Sequence, residues 1–157
     1  MNYRSFRKTP LGQIGIEENG TAVVRLYLPG EFRNNPPAIE KETPLLRKAF
    51  QQLQEYCESR RKDFDLPLAP QGTPFMRKVW MELRRIPYGE TVSYKTIAER
   101  IGNPNASRAV GQANHRNPIA IFIPCHRVVN ADGSMGGYGG GLEMKHRLLA
   151  LENPGRL

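Results

Sequence analysis

Apolar and polar positions in the first 57 residues predict a β-sheet followed by one helix. Residues 9–28, TPLGQIGIEENGTAVVRLYL, hold two β-rich runs on either side of Asn19-Gly20, a dipeptide that favours a two-residue type I′ hairpin turn. Thr43 followed by Pro44 predicts a helix start, because threonine caps helices and proline suits their first turn. Apolar residues then recur at spacings of three and four, on a face made of Leu45, Leu46, Ala49, Phe50, Leu53 and Cys57. This pattern places Cys57 in the core as a structural thiol.

A second domain is predicted to begin after a linker. Residues 62–72, KDFDLPLAPQG, have the prolines and mixed charge of a linker, so we place the domain boundary near Gln71-Gly72. Thr73-Pro74 repeats the cap signal and opens a helix whose predicted buried face holds Phe75, Val79, Trp80 and Leu83. We therefore expect one domain over residues 1–71 and another over residues 72–157.

Two short helices in the second domain fit a helix–turn–helix. Ser93 is a predicted cap for a helix through Ile101, and Gly102-Asn103-Pro104-Asn105 ends it. The next helix, ASRAVGQANH, is built from small residues, which let a helix approach DNA closely, and Arg108 projects from its exposed face. Helical hairpins that have no DNA role fit the same pattern, so the motif alone leaves DNA binding open.

A cysteine follows a strongly apolar segment in the same domain. Ile119 to Ile123 predict a buried strand or extended segment, and Pro124 ends it, so Cys125 and His126 emerge at the edge of the core. The thiol is either a nucleophile assisted by His126 or an inert buried side chain. Neighbouring residues on a strand face opposite sides, so assistance requires a turn of the backbone or a bridging water. Glu152, after the apolar helix MKHRLLAL, is a candidate carboxylate to orient the histidine.

The charge of the chain favours a polyanionic partner for its second half. The sequence has 23 Lys and Arg against 15 Asp and Glu, a net charge of +8, and no acidic residue lies between Arg100 and Ala131. A generally basic protein without a nucleic-acid partner is the alternative. The N-terminus lacks the apolar core of a signal peptide, no apolar stretch is long enough to span a bilayer, and two cysteines make no disulfide framework. We therefore expect a cytoplasmic protein.

Two further patterns exclude common site types. The two cysteines and three histidines have no spacing typical of metal ligands. GGYGGG, residues 136–141, lacks the Lys-Ser/Thr that follows the glycines of a P-loop, and it does not begin a dinucleotide fold. Two interpretations of this tract stay open: its backbone approaches a flat group closely, or it is a flexible surface loop.

Taken together, residues 72–157 resemble the O6-alkylguanine-DNA alkyltransferases, in which SYKTIAERIGNPNASRAVGQANHRNP, IPCHRVV, GGYGGG and LLALE occur in this order. Residues 1–71 match that family only in size and in their β-then-α pattern. The resemblance implies an α+β fold with a mostly helical C-terminal domain. It also implies direct transfer of an alkyl group from O6 of guanine to Cys125 after base flipping, once per chain and without a cofactor; transfer from O4 of thymine is left open.

The resemblance also implies roles for particular residues. The catalytic set is Cys125, His126, Glu152 and Asn117, with His126 and Glu152 linked to the thiol through water. Arg108 replaces the flipped guanine in the base stack, and Tyr94 rotates the nucleotide and donates a hydrogen bond to the base. The remaining DNA-binding positions are Ser93, Ala106, Ala109 and Gly111. The substrate pocket is lined by Val128, Tyr138, Gly136, Gly139, Gly140 and Ala120.

Two of these positions depart from the family pattern. Ala120 stands where some relatives have proline, and Gly139 where many have serine, so bulky substrates could be handled differently. The implied partner is duplex DNA containing O6-alkylguanine; we expect a monomer with no membrane partner, and cooperative binding to DNA is left open. Two other functions fit the residues alone: a cysteine hydrolase, and a DNA-binding lesion sensor without chemistry.

Overall fold

The computed structural model describes residues 1–33 and 36–156, and this part of the chain forms two compact units. The first contains residues 1–71 together with the short segment 118–120. The second contains residues 72–117 and the chain from residue 121 onward. Within the described residues, no helix has the length and apolar character needed to cross a membrane.

The first unit is built on a four-stranded sheet in the order β3-β2-β1-β4. Its strands are β1 (Tyr3–Thr9), β2 (Gly12–Glu18), β3 (Val23–Tyr27) and β4 (Ile39–Glu40). Neighbouring strands are antiparallel except β4, which lies parallel to β1. The core side chains of β2 and β3 are almost fully buried, among them Ile14, Ile16, Val23 and Leu26.

The predicted hairpin at Asn19-Gly20 is present, but its loop is longer than a two-residue turn. Glu18 pairs with Val23, so residues 19–22 form the loop. The side-chain oxygen of Asn19 accepts hydrogen bonds from the backbone N–H groups of Thr21 (3.0 Å) and Ala22 (2.9 Å). An asparagine that bonds the backbone beyond it supports a wider turn, which explains the difference.

Helix α1 (Pro44–Cys57) begins at the predicted cap. The Thr43 hydroxyl accepts from the N–H of Leu46 at 3.1 Å and donates to the Glu18 carboxylate at 2.7 Å, which attaches the helix start to the sheet. Leu46, Ala49, Phe50 and Leu53 are buried as predicted, whereas Leu45 is half-buried. The expected burial of Cys57 is wrong: this residue is half-buried at the last position of the helix, where Tyr56 fills the core instead.

The second unit is mostly helical. Its helices are α2 (Pro74–Leu83), α3 (Tyr94–Arg100), α4 (Ser107–His115) and α5 (Leu142–Glu152), and a short parallel pair joins β5 (Val92–Ser93) to β6 (Val128–Val129). Thr73 and Ser93 cap α2 and α3 as predicted. On α2, Val79, Trp80 and Leu83 are buried, and Phe75 is half-buried. The helical hairpin α3–α4 is confirmed, and Gly102, with φ of +81°, turns the chain at the end of α3.

The segment from Ile119 to Ile123 is buried as expected, but it is not a continuous strand. Ile119 makes an isolated bridge to Leu26, and the chain turns at Ile121, whose φ is +74°. A β-branched residue in the left-handed region costs about 1–3 kcal/mol and is held in place by its surroundings, here the burial of the whole segment. An apolar run predicts burial, but it does not distinguish a strand from a buried turn.

Candidate active site

Cys125, His126 and Arg127 form a buried 3₁₀ turn that follows Pro124. Cys125 is only 5% exposed and His126 is fully buried. The backbone therefore makes a turn at Cys125 and His126, which is one of the two conditions under which His126 can act on the thiol. Neither cysteine of the chain forms a disulfide, and both lie in the described part of the structure.

The Glu152 carboxylate holds this turn against the end of α5. One carboxylate oxygen lies 2.7 Å from Nε2 of His126 and accepts from an Arg127 guanidinium nitrogen at 3.0 Å. The other oxygen accepts from Nε of Arg127 at 2.8 Å and from the N–H of Gly89 at 3.2 Å. The structure thus brings together His126 and Glu152, which the family resemblance implied as partners, and adds Arg127.

The electrostatics of the cluster favour an ionised Glu152 and a neutral His126. Burial alone would raise the pKa of Glu152, but the hydrogen bonds from His126 and Arg127 and the positive charge of Arg127 outweigh burial and hold that pKa well below its usual range. Complete burial lowers the pKa of His126, although the neighbouring Glu152 opposes this shift. The guanidinium of Arg127 neutralises the carboxylate.

These protonation states fix the tautomer of His126. An ionised carboxylate only accepts hydrogen bonds, so Nε2 carries the proton and donates it to Glu152. Nδ1 of the neutral ring is then an acceptor, and it is buried without a hydrogen-bond partner among the described residues. The site therefore contains a base with an available acceptor next to the thiol in the chain.

A buried lysine, which the sequence reading missed, lies close to the same turn. Lys145 of α5 is fully buried, and its ammonium donates to the carbonyl oxygens of Val128 (2.7 Å), Gly137 (3.1 Å) and Met135. Burial lowers the pKa of Lys145 to about 8, and the sulfur of Cys125 opposes this shift. Lys145 thereby attaches the loop after β6 to the strand itself.

The sequence holds a signal for the burial of Lys145, which Glu152 shares. Both lie on the same face of α5 as Leu148 and Leu149, at helical spacings of three and four, and all four are buried. Charged residues on a buried helix face are rare unless they are paired, so their position in that pattern is informative.

Two asparagines and one tryptophan connect the end of α4 to the buried turn. Nδ2 of Asn117 donates to the carbonyl of Ile123 at 2.8 Å, and Nδ2 of Asn114 donates to the carbonyl of Cys125 at 3.3 Å. The indole of Trp80 donates to the carbonyl of Ala113 at 2.8 Å. The predicted residue Asn117 thus supports the chain ahead of the cysteine, and Asn114 was not predicted.

A cleft of about 440 Å³ opens beside the helical hairpin, lined by Tyr94, Lys95, Ser107, Arg108, Gly111, Asn130 and Ala131. Tyr94 is half-buried; burial raises the pKa of its hydroxyl, while the backbone of Gly137 and the sulfur of Cys125 also act on it. A Cβ atom on Gly111 would lie 3.8 Å from the Tyr94 ring, and one on Gly136 would lie 2.8 Å from its hydroxyl. Glycine at position 136 therefore makes room for Tyr94, whereas a Cβ atom at position 111 would only make an ordinary van der Waals contact with its ring.

The other predicted site residues lie in varied places. Ser93 accepts from the N–H of Thr96 at 3.0 Å as a helix cap, Ala106 precedes α4, and Ala109 is exposed on it. Val128, Tyr138 and Ala120 are buried, Ala120 within the first unit, while Gly139 is exposed and Gly140 is half-buried.

Comparison with known proteins agrees with this geometry. Residues 74–154 match the family model described as 6-O-methylguanine DNA methyltransferase, DNA binding domain, and residues 2–70 match its ribonuclease-like domain. The constitutive methylated-DNA–protein-cysteine methyltransferase of Bacillus subtilis is 49% identical over 158 residues, which cover 97% of this chain and 96% of that protein. The protein of the same name from Methanosarcina acetivorans is 45% identical, with 96% and 97% covered.

Solved structures give the same result. The crystal structure of Mycobacterium tuberculosis OGT in complex with DNA superimposes with a TM-score of 0.91 at 39% identity, covering 97% of this chain and 93% of that one. The O6-methylguanine-DNA methyltransferase of Pyrococcus kodakaraensis has a TM-score of 0.62 at 26% identity, with 96% and 99% covered. The chain therefore belongs to the 6-O-methylguanine DNA methyltransferase family.

Proposed function

We propose that the protein repairs duplex DNA as a methylated-DNA–protein-cysteine methyltransferase, moving an alkyl group from O6 of guanine to Sγ of its own Cys125. The observation that carries this proposal is the buried Cys125–Arg127 turn, in which a neutral His126 is held by Glu152. O4 of thymine is the second candidate alkyl donor. The product is a thioether, which is not readily displaced, so each chain acts once.

The chemistry follows from the protonation states of the site. The Cys125 thiol passes its proton through a water to Nδ1 of His126, and the imidazolium that forms is stabilised by Glu152, whose charge Arg127 holds in place. The sulfur then forms a bond to the alkyl carbon as the bond from that carbon to O6 breaks. The electron pair of the broken bond leaves on guanine, and the Tyr94 hydroxyl donates a hydrogen bond to the departing base.

The helical hairpin supplies the DNA contacts. On α4, Arg108 and Ala109 are exposed, and the small residues beside them allow close approach to a groove. Ser93, Ala106 and Gly111 accompany them at this surface. Arg108 occupies the space of the flipped guanine and so offsets part of the few kcal/mol that flipping costs. The cleft beside Tyr94 has a volume within the range of small-ligand pockets, so it is a suitable receptor for the flipped nucleotide.

The division of labour between the units follows from these assignments. Residues 72–157 carry DNA binding and alkyl transfer, and we assign no step of the reaction to residues 1–71. We assign the alkyl pocket to five residues of the second unit, Val128, Tyr138, Gly136, Gly139 and Gly140; Ala120 belongs to the first unit. A reaction that consumes a reduced thiol requires a reducing compartment, so we assign the protein to the cytoplasm. We assign it there as a monomer.

Intact-protein mass after incubation with a duplex containing one O6-methylguanine tests the proposal. We expect a gain of about one methylene, ~14 Da, which saturates at one per chain and is absent in Cys125→Ala. No gain while the duplex remains bound would overturn the transferase and favour a lesion sensor. Turnover of small acyl esters without DNA would instead favour a cysteine hydrolase.

A further inference from the structure

Two buried hydrogen-bond acceptors next to the cysteine are left without a partner in the part of the chain that the structure describes. They are Nδ1 of His126 and Oδ1 of Asn114. Asn114 is 4% exposed and His126 is fully buried. The amide orientation of Asn114 is fixed, because its Nδ2 donates to the carbonyl of Cys125 and only a nitrogen can do so. The acceptor oxygen therefore has to find another donor.

Both acceptors belong to residues that adjoin Cys125. Asn114 binds the backbone carbonyl of Cys125 from α4, and His126 follows Cys125 directly in the chain. An acceptor buried without a partner costs about 1–3 kcal/mol, and folded proteins usually avoid this cost with an ordered water. One water has two hydrogens to donate, which matches two acceptors, and its oxygen can still accept from a third group.

We propose that Asn114 is a positioning residue for the proton transfer in this enzyme. Oδ1 of Asn114 and Nδ1 of His126 accept the two hydrogens of one buried water, and the oxygen of that water accepts the Cys125 thiol proton. This inference rests on the proposed function and adds to it a third group that fixes the direction of the water. In the transfer, the thiol proton moves to the water oxygen, and at the same time the water hydrogen that is hydrogen-bonded to His126 moves from the water onto Nδ1. Asn114 keeps its contact and changes no bond.

A purely structural role for Asn114 is the competing explanation. In that case the residue acts only through Nδ2, by attaching α4 to the carbonyl of Cys125. Trp80 attaches the same end of α4 through the carbonyl of Ala113, and it offers no acceptor to the site. Trp80→Phe is therefore the matched control, because it loosens α4 without changing the water site.

The test uses alkylation of Cys125 by iodoacetamide without DNA, and single-turnover methyl transfer from a duplex containing O6-methylguanine. A Cys57→Ser background leaves one thiol in the chain. We expect Asn114→Leu to slow both reactions about 10-fold at pH 7, where a thiol depends on a base, and to approach the unsubstituted rate at pH 9, where the thiol ionises unaided. Tyr94, Lys145 and Arg127 also surround the site and titrate or carry charge, so each rate is compared with the background protein at the same pH.

The outcomes separate the two explanations. The positioning role is supported if the rate of Asn114→Leu recovers at pH 9 while the rate of Trp80→Phe, divided by that of the background protein, is the same at pH 7 and pH 9. An unchanged rate at pH 7, or an equal loss at both pH values in both variants, overturns it. Should Asn114→Leu not fold, a high-resolution crystal structure of the unaltered protein decides: an ordered water bonded to both acceptors is expected, and its absence contradicts the proposal. Because alkylation by iodoacetamide needs no DNA, failure of methyl transfer itself would be seen separately.

Discussion

The side chains of His126 and Arg127 both bond to the carboxylate of Glu152. Replacing its carboxylate by an amide leaves the Arg127 guanidinium buried and unneutralised, and that imbalance is expensive. We expect Glu152→Gln to lower the free energy of unfolding by about 3 kcal/mol, measured by urea titration. Glu143→Gln, an exposed change in the first turn of the same helix, should stay within about 0.5 kcal/mol. Equal stability of the two variants would contradict this account of the cluster.

The shifted pKa values of His126 and Glu152 also predict sensitivity to acid. Folding lowers the pKa of His126, so below about pH 6.5 the unfolded chain binds a proton that the folded chain resists, and stability falls. Folding lowers the pKa of Glu152 as well; its contribution is complete above about pH 4.3 and is lost as the pH falls toward the folded-state value. Urea titrations between pH 7 and 4 should show this decline. The decline below pH 6.5 should be shallower in His126→Gln, and an identical slope would count against a neutral His126.

Single residues were predictable where a local sequence pattern marks them. The position of Cys125 and His126 at the end of an apolar segment was visible in the chain. Arg127 and Lys145 were not assigned, because a basic residue usually lies in solvent and no local pattern shows that Arg127 meets Glu152, or that Lys145 meets the carbonyl of Val128. Only tertiary structure shows that these two charges are buried.

At the scale of elements, the loop that follows β6 determines where Tyr94 lies. A Cβ atom on Gly136 would meet the Tyr94 hydroxyl at 2.8 Å, and the φ of Gly136 is +68°. We expect Gly136→Ala to slow methyl transfer about 10-fold, because a small displacement of a positioning group is costly. Gly133→Ala is the matched control: its φ is +87°, but nothing lies within 4 Å, so both variants should lose about 1 kcal/mol of stability while only Gly136→Ala loses rate. Equal rates would show that Tyr94 has no such constraint.

Helix caps give a second comparison between elements. Thr43 and Thr73 both cap a helix that begins with proline, but only Thr43 also donates to a buried glutamate, Glu18. We expect Thr73→Ala to cost about 1 kcal/mol and Thr43→Ala about 2 kcal/mol, since the second change also leaves a carboxylate oxygen without its donor. Urea titration of the two variants measures the difference, and equal costs would mean that the bond to Glu18 contributes nothing.

Elements were predictable where local chemistry determines them. The three caps and most of the buried faces of α1 and α2 depend on neighbouring residues, and the structure confirms them; the exceptions are Leu45, Cys57 and Phe75, which are half-buried. The hairpin loop at residues 19–22 and the turn at Ile121 were not predicted correctly. Both are decided by competition: a side chain that bonds the backbone in one case, and burial that holds an unfavourable φ in the other.

For the whole molecule, the uneven charge predicts how binding depends on salt. Residues 72–157 carry 12 Lys and Arg against six Asp and Glu, and residues 1–71 carry 11 against nine. We expect the logarithm of the association constant for duplex DNA to fall linearly with the logarithm of the salt concentration, with a slope of about −0.9 for each phosphate contacted. Lys95→Ala, in the cleft beside Tyr94, should reduce that slope by about one, and Lys8→Ala in the first unit should leave it unchanged. Fluorescence anisotropy over a salt series measures both, and equal slopes would place the phosphate contacts elsewhere.

Helix α4 has a consequence for engineering. One of its faces is exposed at Arg108, Ala109 and Gln112, and the other is fastened to the interior through Ala113 and Asn114. A designer who wishes to retarget the protein to other sequences can vary the first face, but a graft of a foreign recognition helix would also replace the second. Such a chimera would change the reactivity of the Cys125 thiol together with the DNA sequence preference. Libraries should therefore hold positions 110, 113 and 114 constant.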